Sequence, residues 1–375
     1  MHRLRKTAAG VAVAAAAMVA AAVPAFADPV GNNGKPVVPR SYDIVSVGAN
    51  TDENLFNQLS VSYNSTHKAH NPQNPYIYTW NATPPGSTGT GPSQIVPKAG
   101  CTKITRPNGS GAGISALDNN QLDGKTGHFC IDLARSSSGR SPKDPQFGPG
   151  GIAFVALAKD AVTYATRDKA SGGTNAPASL TTAQLTSIYL CKVTNWKQVG
   201  GKNGAIEPFL PQTGSGTRTF FLKAINVTAP GTCVNNALEE NQGLSSQLNS
   251  ANAIFIYSAG DYVAQVFHSA KCGKKPAAGQ NAYGCDQHGV LGLDSINGTR
   301  PTVGTGANTT INPAFSAKFV RLLYDVVRFN TAANPIPGYE QKFFGRTGYL
   351  CTSPTAVKAI KNYGFLTTPL CGVAS

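Results

Sequence analysis

Four times along this chain, a turn of glycine and hydroxyl residues follows a segment patterned as strand or loop. Gly48-Ala49-Asn50-Thr51, Asn108-Gly109-Ser110-Gly111 and Gly214-Ser215-Gly216-Thr217 each open a helical pattern. Arg135-Ser136-Ser137-Ser138-Gly139 follows the apolar run 130–134. The start of a helix leaves backbone N–H groups without intrahelical partners. Taken singly, each turn is explained by an ordinary N-cap, in which a hydroxyl satisfies its own helix. Four together point to amides and hydroxyls converging on one oxyanion, with the helix dipole adding to the attraction and no metal required. The third turn is the sharpest of them. Residues 206–210 read as a strand, and 217–226 as a helix with Phe220, Phe221, Leu222 and Ile225 available for its buried side. Gly214 and Gly216 allow close backbone approach, Ser215 and Thr217 add hydroxyls, and Arg218 adds a cation able to hold two oxygens.

Other segments alternate between the two periods. Strands are expected at 42–48, 76–80, 130–134, 152–158 and 253–257. Helices are expected after Thr51-Asp52-Glu53, with Leu55, Phe56, Leu59 and Tyr63 on one face, and over 111–122, 181–190 (capped by Thr181), 261–268 and 353–363. Residues 313–329 carry the strongest amphipathic helical pattern, with Phe315, Phe319, Leu322, Leu323 and Val326 inward. Strands alternating with helices define an α/β chain.

The N-terminus carries Arg3, Arg5 and Lys6, an apolar run over 8–23 and the small-x-small triplet Ala25-Phe26-Ala27, the pattern of a secretory signal cleaved after Ala27. The run is too short and too rich in alanine for a membrane span. The first cysteine is Cys101, so no lipid-acceptor cysteine stands at the cleavage site, and a secreted, released protein is expected. Removing the signal leaves 375 − 27 = 348 residues, a length that suggests two domains, and takes the net charge from +14 to +11. Charged residues make up only 13% of the chain, and no basic run interleaves with aromatics, which argues against nucleic acid as partner. Eight cysteines in an exported chain point to disulfides. Nearest-neighbour pairing is expected: Cys101–Cys130, Cys191–Cys233, Cys272–Cys285 and Cys351–Cys371. No Cys-x-x-Cys occurs, and no metal or cofactor is expected.

The segment Leu180-Thr181-Thr182-Ala183-Gln184-Leu185-Thr186-Ser187-Ile188-Tyr189, then Val193-Thr194-Asn195-Trp196-Lys197-Gln198-Val199-Gly200-Gly201, leads into the Gly214–Thr217 turn. In this order and spacing the chain resembles the phosphate-binding receptors of ABC transporters (PstS-like), within the type 2 periplasmic binding protein superfamily, and looks closest to the secreted or surface forms of actinobacteria. The resemblance runs from about residue 42 to 260. It implies two α/β lobes joined by crossing strands with ligand in a central cleft. The lobes would be 41–158 completed by 286–375, and 159–285, after a flexible leader at 28–40. It also implies a non-catalytic monomer that binds phosphate or a related oxyanion and works with an ABC permease. By position, the ligand contacts would be Thr51, Ser110, Gly111, Ser136, Ser137, Ser215, Gly216 and Thr217. The family's arginine and acidic residue before this turn are Pro211 and Thr213 here, and the family's aspartate in the turn after 130–134 is Ser137. Arg135 and Arg218 are the candidate replacement cations. Loss of the aspartate weakens discrimination between protonated phosphate and sulfate-like anions by ~1–3 kcal/mol.

Two rivals compete with a solute receptor. A secreted hydrolase would use Gly-x-Ser-x-Gly, but Ser215 follows Thr213 and Ser110 follows Asn108 at the first glycine position. A cell-surface or polysaccharide-binding protein on the same fold would use Tyr76, Tyr78 and Trp80 as sugar-stacking rings.

Overall fold

The computed structural model describes residues 28–32, 34–85 and 93–375. The segment 1–27, expected as a cleaved signal, lies outside them. Among the described residues, one large sheet contains β1 (Ile44–Gly48), β2 (Ile77–Thr79), β3 (Leu133–Ser136), β4 (Ile152–Arg167), β5 (Glu207–Pro211), β6 (Asn235–Leu238), β7 (Ala253–Ser258), β8 (Leu291–Leu293) and β9 (Val320–Arg328). The order is β2-β1-β3-β9-β4-β7-β5-β6, with β8 also on β4.

Strand β1 is buried along its whole length because both of its faces are covered. Alternate side chains point to opposite faces of a sheet. Ile44 accordingly joins a cluster with Leu55, Phe56 and Leu59 of helix α1 (Glu53–Asn64). Val45 and Val47 meet Ile114 and Leu117 of helix α2 (Ser110–Asp118). A separate cluster gathers Leu185 and Ile188 of helix α3 (Thr182–Tyr189), Trp196, Leu210, Phe221 of helix α4 (Gly216–Ala224), Ile254 and Ile256. These clusters form the cores of two lobes. Thr181 starts α3 with a full capping box: its side chain accepts from Gln184 N, and the Gln184 side chain accepts from Thr181 N.

Two long antiparallel strands connect the lobes. Ala153, Val155 and Leu157 of β4 lie in the first core, and Ala161, Val162 and Tyr164 lie in the second. The return path is β9, with Leu323 and Val327 in the first core and Val320 packed on the second. The expected helix over 313–329 is therefore corrected. Residues 320–328 form a strand between β3 and β4, antiparallel to both. Their apolar spacing fits a helical face, but Val320, Val326, Val327 and Tyr324 also suit a pleated surface, and pairing on both edges decides the outcome. Phe315 and Phe319 are buried as expected, against the second core.

Leu291 packs with Phe209 and Phe255, while Ile296 and Ile311 join the second core. The segment expected as a flexible leader makes specific contacts. Asp28 accepts from Asn81 N at 2.9 Å and pairs with Arg106, and Val30 is buried. The disulfides join Cys101 to Cys130, Cys191 to Cys233, Cys272 to Cys285 and Cys351 to Cys371, as nearest-neighbour pairing anticipates.

Candidate functional site

The glycine turns of the two lobes meet in the cleft. Gly109 enters α2 with φ 98° and ψ 168°, a conformation open essentially only to glycine. This brings the α2 turn onto the α4 turn, and Gly111 N donates to Gly214 O at 3.3 Å. A Cβ on Gly216 would collide with Ser110 Oγ and Ser137 Oγ, so the absence of a side chain lets the three positions come together. Ser110 Oγ accepts from Ser137 N at 3.0 Å and lies 3.4 Å from Ser137 Oγ.

Beside this contact, Thr51 Oγ1 of the first lobe is 3.2 Å from Thr217 Oγ1 of the second. Both hydroxyls donate to Glu240 Oε1, Thr51 at 2.6 Å. The cation at this point is Arg321. Its Nη2 donates to Thr217 Oγ1 at 2.8 Å, to Thr51 Oγ1 at 3.4 Å and to Asp160 Oδ2 at 2.7 Å. Its Nη1 donates to Ser137 O at 2.8 Å. Thr51, Ser110, Ser137, Gly216 and Thr217 are thus gathered as expected, all of them buried.

The other expected contacts are directed elsewhere. Ser215 Oγ caps its own helix, accepting from Arg218 N at 3.0 Å. Ser136 Oγ donates within its turn to Ser138 O at 2.7 Å. The Gly111 amide is taken by Gly214 O. Arg218 folds back onto Pro211 O at 2.9 Å and Asn236 Oδ1 at 2.8 Å. Arg135 is fully buried but bonds Ala49 O, Ser46 Oγ, Thr79 Oγ1 and Trp80 O. Both arginines are engaged by these protein groups. Arg321 went unrecognised because residues 313–329 read as a helix, which turned it to the polar side. The run Glu239-Glu240-Asn241-Gln242 was also missed. Its sequence signal was weak, since nothing in the spacing of four polar residues ties them to the glycine turns.

Several acids next to Thr51 and Glu240 in sequence are buried. Asp52 lies 3.7 Å from Arg135 Nε, yet neither of its carboxylate oxygens has a hydrogen-bond partner. Burial pushes it up to about 7, against the opposing pull of Arg135. Burial likewise raises Glu239 to about 7 and Glu53 to about 8. Between the ordinary carboxyl range and these values, the folded chain holds protons that the unfolded chain has released. The stability due to the neutral forms is full below about pH 4 and is lost as pH rises through about 7 to 8. Each group contributes a slope of up to about 1.4 kcal/mol per pH unit in that window. Denaturant unfolding should give a lower unfolding free energy at about pH 8 than at about pH 5, with Asp52→Asn flattening the difference. A wild-type stability that does not change between those pH values would refute this assignment.

Among the described residues, no group of three or more His, Cys, Asp or Glu is placed to hold a metal ion. No helix there is long and apolar enough to cross a membrane. The rings considered for sugar stacking do not form a free platform. Tyr78 is buried, Tyr76 stacks on His70 at 3.9 Å, and the Trp80 indole donates to Pro97 O at 3.1 Å.

Residues 91–296 match the model of the PBP superfamily domain, and the chain belongs to that superfamily. Solved structures share the fold. One is an ABC-type phosphate transport receptor from Vibrio cholerae, 18% identical over 87% of this chain and 100% of that one, with a TM-score of 0.53. Another, from Clostridium perfringens, is described as a phosphate ABC transporter substrate-binding protein with bound phosphate. It is 16% identical over 87% of this chain and 99% of that one, with a TM-score of 0.55. No curated protein matches the chain.

Proposed function

We propose that this chain is a non-catalytic solute receptor that holds phosphate or a related oxyanion between its lobes, for delivery to an ABC permease. The supporting observation is the meeting of Thr51 from one lobe with Thr217 from the other beside Arg321, next to the Ser110–Ser137–Gly216 contact. Hydroxyls and a guanidinium drawn from several chain reversals suit a small, multiply oxygenated anion. The solved relatives named for phosphate agree with this reading. The lobes would be 41–158 with 320–375, and 159–319. Closure would rotate one lobe on the other about β4 and β9. The hydrolase alternative lacks support in the geometry, because Ser215 caps its helix and Ser110 faces Ser137.

Calorimetric titration with phosphate and with sulfate tests the reading. The double variant Thr51→Val with Thr217→Val should lower phosphate affinity about 100-fold or more, from two lost hydrogen bonds to a charged ligand. Unchanged affinity would remove this site from the ligand. Turnover of phosphate or carboxyl esters by the purified protein would favour the enzyme instead.

A further inference from the structure

Glu239, Glu240, Asn241 and Gln242 are 3%, 0%, 1% and 6% exposed, an unbroken polar run buried in the cleft. Buried polar groups are normally held by specific hydrogen bonds, and most of these are. Glu239 accepts from Gln212 Nε2 at 3.0 Å and from Asn108 Nδ2 of the opposite lobe at 3.1 Å. Asn241 Oδ1 accepts from Ser258 N at 3.0 Å, and its carbonyl accepts from Gln265 Nε2 at 3.0 Å. Glu240 N donates to Gln212 Oε1 at 3.0 Å. The backbone of the run is therefore fixed to the second lobe, with the Glu240 side chain reaching the first-lobe hydroxyl of Thr51.

Oε1 of Glu240 receives the hydroxyls of Thr51 and Thr217, and Arg321 Nη2 donates to both of those hydroxyls. This is the donor set assigned above to an external oxyanion. Oε2 is buried and has no hydrogen-bond partner, so the carboxylate is held through one oxygen only. A two-oxygen grip would be stronger and harder to displace.

We propose that Glu240 is a built-in competitor, whose carboxylate occupies the oxyanion position, bridges Thr51 of one lobe to Thr217 of the other, and sets affinity because it must move before a ligand anion enters. The proposal rests on the receptor reading for its ligand, but the bridge between the lobes stands on the geometry alone.

Phosphate is titrated by calorimetry into the wild-type mature chain, Glu240→Gln and Glu240→Ala. Solution X-ray scattering is recorded on each protein without phosphate. Affinity is expected to rise about tenfold or more in Glu240→Ala, with Glu240→Gln in between, since the amide keeps an acceptor oxygen but not the charge. The radius of gyration of phosphate-free Glu240→Ala is expected to exceed that of the wild type. Circular-dichroism melting establishes that each variant folds, and the near-isosteric glutamine variant carries the test if alanine does not. A fall in affinity would make Glu240 a partner of the ligand and overturn the proposal. Unchanged affinity with an unchanged radius would overturn it too. If wild type and variants all bind no phosphate, the receptor reading fails and scattering decides the bridge: a larger radius supports it and an equal radius sinks it.

Discussion

Arg321→Met is expected to lower the unfolding free energy by about 3–5 kcal/mol, the usual cost of leaving one member of a buried ion pair without the other. Arg321 and Asp160 face each other across β9 and β4, in register, and are 5% and 0% exposed. Two guanidinium nitrogens reach Asp160 Oδ2, at 2.7 and 3.0 Å. Asp160 Oδ1 accepts from Ser258 Oγ at 2.9 Å and Gly260 N at 3.1 Å. Those donors remain in the variant, but the compensating charge does not. The same substitution removes the bonds to Ser137 O and Thr217 Oγ1, so phosphate affinity should fall at least about tenfold as well. Denaturant unfolding measures the first effect and calorimetry the second. Adding Asp160→Asn should recover much of the stability and none of the affinity, which separates the two roles. A stable Arg321→Met protein with wild-type affinity would show that this cation serves neither the strands between the lobes nor the ligand.

Gly109→Ala is expected to hold the lobes apart. The backbone conformation at Gly109 costs a residue with a Cβ about 1–3 kcal/mol. The added Cβ would stand 2.6 Å from Gly214 O and 2.8 Å from Gly214 C. Both are backbone atoms of the opposite lobe and have no rotamer to swing away. The turns must separate, and the hydroxyls of Thr51 and Thr217 then no longer converge. Phosphate affinity should drop about 100-fold while each lobe keeps its core, an effect of about 3 kcal/mol. Scattering in the presence of phosphate should show a larger radius than for the wild type. Gly111→Ala is the control, because its Cβ would lie 3.8 Å from Gly214 O, an ordinary contact. If Gly109→Ala bound phosphate like the wild type, contact between the turns would be irrelevant to binding.

Most of what was legible in the sequence lies within a few residues along the chain. The α3 cap needs only Thr181 and Gln184, three apart. The apolar face of α1 needs only its own spacing. The glycine turns show themselves through residue type, because few residues other than glycine take the backbone angles they need. Even so, local legibility misled in places. A hydroxyl at a helix start can accept from its own helix, as Ser215 does from Arg218 N, so its residue type alone does not show whether its proton also serves a ligand. Arg135 and Arg218 stood beside the right turns, yet their long side chains bond backbone and side-chain groups of their own lobes, Ala49 O and Pro211 O among them. The pattern over 320–328 fits two periods, and the choice between them depends on β3 and β4, which lie far away in sequence.

From the residues alone came the α/β class, the export signal as an expectation, the disulfide pairing and the turns from which a site could be built. The tertiary structure chose the charges that face the cleft. Arg321 meets Asp160 across 161 positions of chain, and Thr51 meets Glu240 across 189. Caps and turns are set by forces acting between neighbours in sequence, whereas a charge in a cleft is placed by strand register and lobe packing, which only the assembled fold specifies.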